Sequence, residues 1–531
     1  MVDCPGVSPI SLIALIALLA CSWPAWRLLL NPALRRVAPR QWTALAVVII
    51  VAIVVIVALA VIRPAWLTVV GLVTVPVTSW VGWRGRPAFG RSRGLPPGSL
   101  SPRRSIEAVV ERGFYSSQAR RHGPIFKMAQ FQRGVVCVVG LDLGQRLFQE
   151  HHAQLGPSVQ PFNREIPGGF LRYMDDDTHR RYSSIFRTAL SPPVVHASES
   201  VTRAAAREEL EAMALASARG QAVSPEPYLA RFVSRSFLSV LFGVQPGSDS
   251  SDEFEELYPP LRDQSLGSPL GDRAREALAG LRQWVVREAE ALRAGGECQA
   301  PVSALDALVQ SDEEMPDPTA TDNLLFTHKI SSDNVVALLR WLVKMLGDHQ
   351  GWVARLRGEL DSATPSNLSD RIVWETLRLA QSEYLYREIV EEFQFDGFKM
   401  PAGWLLRICV RESHADPAVF RDADTFDPDR FSAASFNSSQ YSPFGFGQHA
   451  CNGVHLTMMI ARIWIESLCR GFVWSAVRDG PAEREFRHWS HWRPSRRLAI
   501  SIRARTELSP RAMSPPEGPS ERSCGSTRSD F

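Results

Sequence analysis

Three runs without a single charged side chain crowd the first 83 residues and decide how the rest of this 531-residue chain can be partitioned. Val7 to Trp26 is apolar apart from three serines and two prolines, Trp42 to Ile62 spans 21 residues rich in Val, Ile and Ala, and Ala65 to Trp83 spans 19. A helix crossing the hydrocarbon core needs roughly 20 apolar residues, so each run is long enough to cross. A cleavable signal fits the first run poorly, because Met1 to Gly6 carries no basic residue. Arg27, Arg35, Arg36 and Arg40 lie between the first two runs, and Arg84, Arg86, Arg91, Arg93, Arg103 and Arg104 follow the third. The positive-inside rule puts both basic segments in the cytosol, with the second and third runs forming a hairpin that turns at Arg63-Pro64. A single span with the third run lying at the interface is the other arrangement. Residues 1–83 are therefore read as a membrane anchor, with helices over about 7–26, 42–62 and 65–83.

A Pro/Gly/Arg-rich linker is expected over 84–104, a folded domain over 105–505, and a disordered tail over 506–531, where Ser, Pro and Arg dominate. The apolar fraction of 45% and charged fraction of 22% are ordinary for a globular chain, and a net charge of +3 is too small to argue for nucleic acid. Within the domain, Phe126 to Phe131 and Gly134 to Gly140 read as two short strands, with a helix from Leu141 to about His151. Helical spacing marks Ser200 to Arg219, Asp272 to Arg293, Ser332 to Met345, Val353 to Leu360 and Leu368 to Leu379. Glu388 to Ile408 alternates around Gly397 and Pro401 and reads as a small sheet. The expected class is mainly α with a small β component.

The eight cysteines show neither CxxC pairs nor zinc spacing, so a disulfide framework or structural zinc site is not indicated. Cys451 stands apart by its surroundings, Ser442-Pro443-Phe444-Gly445-Phe446-Gly447-Gln448-His449-Ala450-Cys451-Asn452-Gly453, with a helix following through Leu456, Met459, Ile460 and Ile463. Glycines let the backbone bend around a sulfur, and amide N–H groups at a helix start favour a thiolate. Phe444 can cover the sulfur and His449 can meet an anionic group. That combination suits a thiolate ligand to heme iron.

The segment resembles the cysteine loop of the cytochromes P-450, the heme-thiolate monooxygenases, with Phe444, Gly447, Cys451 and Gly453 at signature positions and His449 where that family has Arg or His. Glu375-Thr376-Leu377-Arg378 is similar to the family's Glu-x-x-Arg helix, and Phe426-Asp427-Pro428-Asp429-Arg430-Phe431 to its meander, which implies a Glu375–Arg378–Arg430 triad. Arg387 is placed like a propionate ligand, and His414-Ala415-Asp416-Pro417 and Leu95-Pro96-Pro97-Gly98 also have counterparts. The resemblance covers about residues 95–505. It implies the cytochrome P-450 fold behind N-terminal transmembrane helices, heme b on the Cys451 thiolate, and electrons from NADPH through a flavoprotein reductase. Arg462 and Arg470 are candidate reductase contacts.

Two positions depart from the pattern. The family's oxygen-site sequence Ala/Gly-Gly-x-Asp/Glu-Thr falls here on Ile330-Ser331-Ser332-Asp333-Asn334, in a register set by Trp341 and Leu346-Gly347-Asp348-His349. Asp333 keeps the acid, but Asn334 replaces the alcohol that helps deliver protons during dioxygen activation; an amide hydrogen-bonds without relaying a proton as a hydroxyl does. Three readings follow: a monooxygenase in which Asn334, Ser331 or substrate organises the water, a redox-neutral isomerase or dehydratase of an oxygenated substrate, or mere drift at this position; a non-catalytic heme protein is a separate class that stays open. The second departure lies near Ser183, where a basic partner for heme is usual; His179 and Arg180 are the candidates. An apolar small-molecule substrate, a specialised metabolite, is expected, entering from or near membrane lipid through a pocket lined by Ser158 to Leu171, Asn323 to Asn334, Gln381 to Tyr386 and the stretch near Trp489 and Trp492. The multi-span anchor points to the endoplasmic reticulum. If the domain faces the cytosol, the sequons at Asn367 and Asn437 stay unmodified in the native cell, and a glycosidase-sensitive mass shift at either would overturn this topology.

Overall fold

The structure, a computed structural model, describes residues 94–505 apart from 131–132, 158–168, 219–220, 265–268, 296–299, 313, 363–366, 381–383, 434–435, 478–484 and 489–490. The three hydrophobic runs and the tail expected from residue 506 lie outside the described residues. No described helix is long and apolar enough to cross a membrane.

Among the described residues helices dominate, with one six-stranded sheet and three two-stranded ones. The large sheet runs in the order Gly98–Ser99, Ile125–Gln130, Arg133–Val138, Leu405–Ile408, Leu385–Ile389, Leu155–Gly156. The two expected strands are present and pair antiparallel, and the helix after them covers Leu141–His151 as anticipated. Part of the expected linker is ordered: Gly98 and Ser99 pair with Lys127 and Met128, and a helix starts at Pro102. Gly98 is required by close approach, since a Cβ there would stand 2.2 Å from the Lys127 carbonyl oxygen.

One helix, Pro318–Asp348, threads the main core for 31 residues. Asp317 caps it by accepting the Ala320 N–H at 2.7 Å, with Pro318 in the first turn, where its missing N–H costs nothing. It begins well ahead of the expected Ser332, because its first half buries polar side chains that break the apolar periodicity. Asp322, Asn323 and Lys329 each have a tertiary hydrogen-bond partner. Asp322 receives Nε and Nη2 of Arg282, both at 2.6 Å. The Lys329 ammonium donates to the carbonyls of Leu261, Arg262 and Gln264 at 2.5, 2.8 and 2.9 Å, while burial draws its pKa down to about 8. Asn323 grips a distant loop, described below.

A second, polar core fixes the C-terminal third. Glu375 and Arg378, one turn apart on Leu368–Ala380, are fully buried and bond twice, Nε to Oε2 at 2.7 Å and Nη2 to Oε1 at 2.8 Å. Arg430 approaches Glu375 Oε1 at 3.4 Å, and the Asp427 N–H donates to the same oxygen at 3.0 Å. Arg378 also donates to the His414 carbonyl at 3.0 Å, and His414 Nε2 accepts the Ser442 N–H at 3.0 Å. The triad is thus tied through His414 to the first residue of the cysteine loop. Burial, reinforced by the Arg378 charge, holds the His414 pKa at about 3, which keeps Nε2 an acceptor.

That depressed pKa has a definite sign in stability. Above pH 6.5 His414 is neutral both folded and unfolded; below it the unfolded chain takes up the proton and the native state does not, so stability falls as pH drops toward 3. His414→Gln keeps a neutral acceptor for Ser442 and should remove one proton's worth of this slope, at most about 1.4 kcal/mol per pH unit. Denaturant midpoints measured between pH 5 and 7 check it; His328 and His449, also held near 3, leave the remainder of the acid limb in place.

Candidate active site

The cysteine loop turns on two glycines in the left-handed region, Gly445 at φ 78° and Gly447 at φ 68°. The Gly445 N–H donates to the Ser442 carbonyl at 3.1 Å, and the Cys451 N–H closes the loop on the Phe444 carbonyl at 2.9 Å. Helix Val454–Gly471 starts at once and buries Leu456, Met459, Ile460, Ile463 and Trp464, the face expected from the sequence. Gly453 leaves room beside the sulfur, since a Cβ there would lie 3.8 Å from Sγ. Burial pushes the Cys451 thiol up, and the Gly453 N–H and the charge of Arg172 pull it down. Coordination to a cation would complete the deprotonation.

Among the described cysteines Cys137, Cys409 and Cys469 are buried and only Cys451 is accessible. Yet protein surrounds Cys451 closely enough that burial is the largest influence on its thiol. In the middle of the long helix Thr327 and the run from Ile330 to Asn334 retain accessibility, and Thr327, Ile330, Ser331 and Asn334 share one face. Asp333 leaves that face: its carboxylate is hydrogen-bonded to Nη2 of Arg493, which also lies 3.5 Å from Glu226. The oxygen-site pair expected from the sequence therefore divides, with Asn334 accessible and Asp333 engaged by an arginine.

Beside the loop the structure gathers two guanidinium and two imidazole side chains. His179, on a helix capped by Asp175 through the Thr178 N–H, stacks on His449 with ring centroids 3.9 Å apart. Arg387 is set by register opposite Leu406 in the sheet, and Arg172 stands in the turn Leu171–Tyr173. Burial and the charge of Arg387 lower both imidazoles, His449 to about 3 with His179 and Arg172 adding to the effect. Burial and the Arg172 charge lower Arg387 to about 10. Nδ1 of His179 and Nδ1 of His449 are both buried without a hydrogen-bond partner. Imidazoles with orphaned nitrogens packed against guanidinia call for an anion. The two propionates of heme supply such a charge, and a single accessible thiol at the end of the loop supplies the iron ligand. The donor set fits heme.

Two expectations need correction. Arg180 does not join His179: one residue along the helix turns it by about 100°, and it pairs with Asp177 at 3.0 Å on the exposed face. Arg172 takes the place given to it; nothing in its local sequence marks it, and only its neighbours in space do. Asn323, expected to line the pocket, is 1% exposed and hydrogen-bonded to the main chain of the 169–171 loop. The parts of the expected pocket at 158–168, 381–383 and Trp489 lie outside the described residues. Of the arginines expected to meet a reductase, Arg470 donates to the Leu360 carbonyl at 2.8 Å and Arg462 lies 3.6 Å from Glu199.

A sequence model of the family Cytochrome P-450 matches residues 112–500. Abscisic acid 8'-hydroxylase 3 of Oryza sativa subsp. indica is 26% identical over 422 residues, covering 72% of this chain and 82% of its own. Human cytochrome P-450 26B1 is 23% identical, covering 66% of this chain and 75% of its own. Among solved structures, retinoic acid bound cyanobacterial CYP120A1 superposes with a TM-score of 0.64 at 21% identity, covering 78% of this chain and all of that one. A likeness that distant speaks for the fold; the family match, the fold and the enclosed cysteine loop agree. The chain belongs to the cytochrome P-450 family and is a heme-thiolate monooxygenase by descent.

Proposed function

We propose that this enzyme holds heme b on the Cys451 thiolate and hydroxylates an apolar small molecule, a specialised metabolite, with dioxygen and electrons passed from NADPH by a flavoprotein reductase. The observation that carries this reading is the enclosure of Cys451 beside Arg172, His179, Arg387 and His449, two of them with orphaned ring nitrogens. Heme, when bound, supplies the one-electron and dioxygen chemistry, which a thiolate ligand favours. The chain supplies the rest. Arg387, His179, His449 and Arg172 meet the propionates; Phe444, Gly447 and Gly453 shape the sulfur's surroundings; Glu375, Arg378 and Arg430 hold the loop in place.

Proton supply is where this chain departs from the family's oxygen-site sequence. Asn334 can donate to and accept from a water but does not pass a proton through itself. The Ser331 hydroxyl, one turn earlier on the same accessible face, can. Asp333 is held by Arg493 and contributes only when that contact loosens. One relative is named a hydroxylase of abscisic acid, and one similar structure carries retinoic acid, so apolar carboxylic acids are the first substrates to screen. We also place residues 1–83 in the endoplasmic reticulum membrane, joined by 84–104 to a cytosolic domain, with 506–531 as a free tail; charge asymmetry around the hydrophobic runs supports this.

The reduced-carbon-monoxide difference spectrum tests the ligand: Cys451→Ala should lose the red-shifted thiolate band and Cys469→Ala should keep it. With a turned-over substrate, NADPH and dioxygen consumption should track product; product formed without consuming either overturns the monooxygenase reading. Asn334→Thr should change the ratio of product to NADPH consumed, and an unchanged ratio removes Asn334 from proton delivery.

A further inference from the structure

The turn that brings Arg172 to the cationic cluster is too short to place itself. Leu171–Tyr173 is a single 3-10 turn, and the N–H of its first residue has no partner within the turn. A side chain 152 positions away supplies one: Asn323 Oδ1 accepts the Leu171 N–H at 2.7 Å. The other end of the same amide donates to the Gly169 carbonyl at 3.1 Å and to the Thr319 carbonyl, one turn back on its own helix, at 2.8 Å. Asn323 thus grips the main chain on both sides of Phe170, which fixes the turn's rotation as well as its position. The side chain is 1% exposed, so its own amide relies on these three partners.

We propose that Asn323 is a positioning residue for heme, capping the Arg172 turn from the long helix and so aiming the Arg172 guanidinium at the propionates. The role rests on the heme reading above. It also explains a buried asparagine in a helix whose neighbours Leu324, Leu325 and Phe326 are apolar and fully buried. An asparagine there is otherwise unfavourable, since its amide must be satisfied within the core. Leucine at 323 would fill the same volume and leave the Leu171 N–H and Gly169 carbonyl unpaired, freeing the turn to rotate.

The test uses the full-length heme-loaded protein with three variants, Asn323→Leu, Arg172→Leu and the double. Heme transfer to excess apomyoglobin, followed by absorbance, gives the rate of heme loss. Each single variant should lose heme about tenfold faster than wild type, the size of one lost buried hydrogen-bond contribution. The double should be no faster than the quicker single, because both act through the same guanidinium. Hydrogen exchange on heme-free protein should rise at 169–173 in Asn323→Leu and stay unchanged across 368–380. A rate of heme loss in Asn323→Leu within twofold of wild type overturns the proposal, as do rate effects that multiply in the double. Should Asn323→Leu not fold, Asn323→Asp, which keeps the acceptor for Leu171 and loses the donor to Gly169, carries the same comparison. A wild-type protein without the thiolate band would sink the heme reading itself; a wild-type band with unaltered heme loss in the variants would sink only the role of Asn323.

Discussion

The buried pair of Glu375 and Arg378 is the contact on which the C-terminal third depends. Neither side chain touches water, so the cost of burying two charges is met only because every oxygen and most donor hydrogens are used. Removing one partner of such a pair typically costs about 3–5 kcal/mol, since it strands the other charge. The consequence here is directional. Arg378 holds the His414 carbonyl, His414 holds the Ser442 N–H, and Ser442 opens the loop that ends at Cys451. A sulfur on a glycine-rich turn would otherwise wander; it is anchored through three successive hydrogen-bonded residues to a charge pair that cannot move.

On the far flank of the loop the logic is reversed. Arg172, Arg387, His179 and His449 repel or desolvate one another, and the imidazoles are left with bare nitrogens. An arrangement that costs stability by itself is what a binding site for an anion looks like before its ligand is counted. The rigid side of the loop and the unsatisfied side serve one purpose: the first sets where the sulfur is, the second sets where a dianion must lie relative to it.

Much of this was legible in the chain. Phe444, Gly447, Cys451 and Gly453 are close in sequence, and a turn made of glycines followed by a helix is local physics. Glu375 and Arg378 are three residues apart on a helix, so their pairing could be anticipated. Arg387 is placed beforehand only by the family resemblance, since the alternating stretch read as sheet begins one residue later. What failed were assignments that required knowing which way a helix faces. His179 and Arg180 are neighbours in sequence but point apart, and sequence offered no reason to prefer either. The first half of the long helix hid because Asp322, Asn323 and Lys329 are polar, and only Arg282, the 169–171 loop and the carbonyls near Leu261 make their burial tolerable.

By itself the sequence determined the ligand residue, the family resemblance and the partition into a hydrophobic N-terminus and a folded domain, because each rests on short-range spacing or on the length of an apolar run. The tertiary structure decided which side chains surround the loop, that Asp333 is turned to Arg493, and that Arg172 belongs to the site at all. Those outcomes depend on contacts between residues 100 or more positions apart. No local pattern encodes them, since the energy that selects them comes from satisfying buried polar groups once the chain is packed.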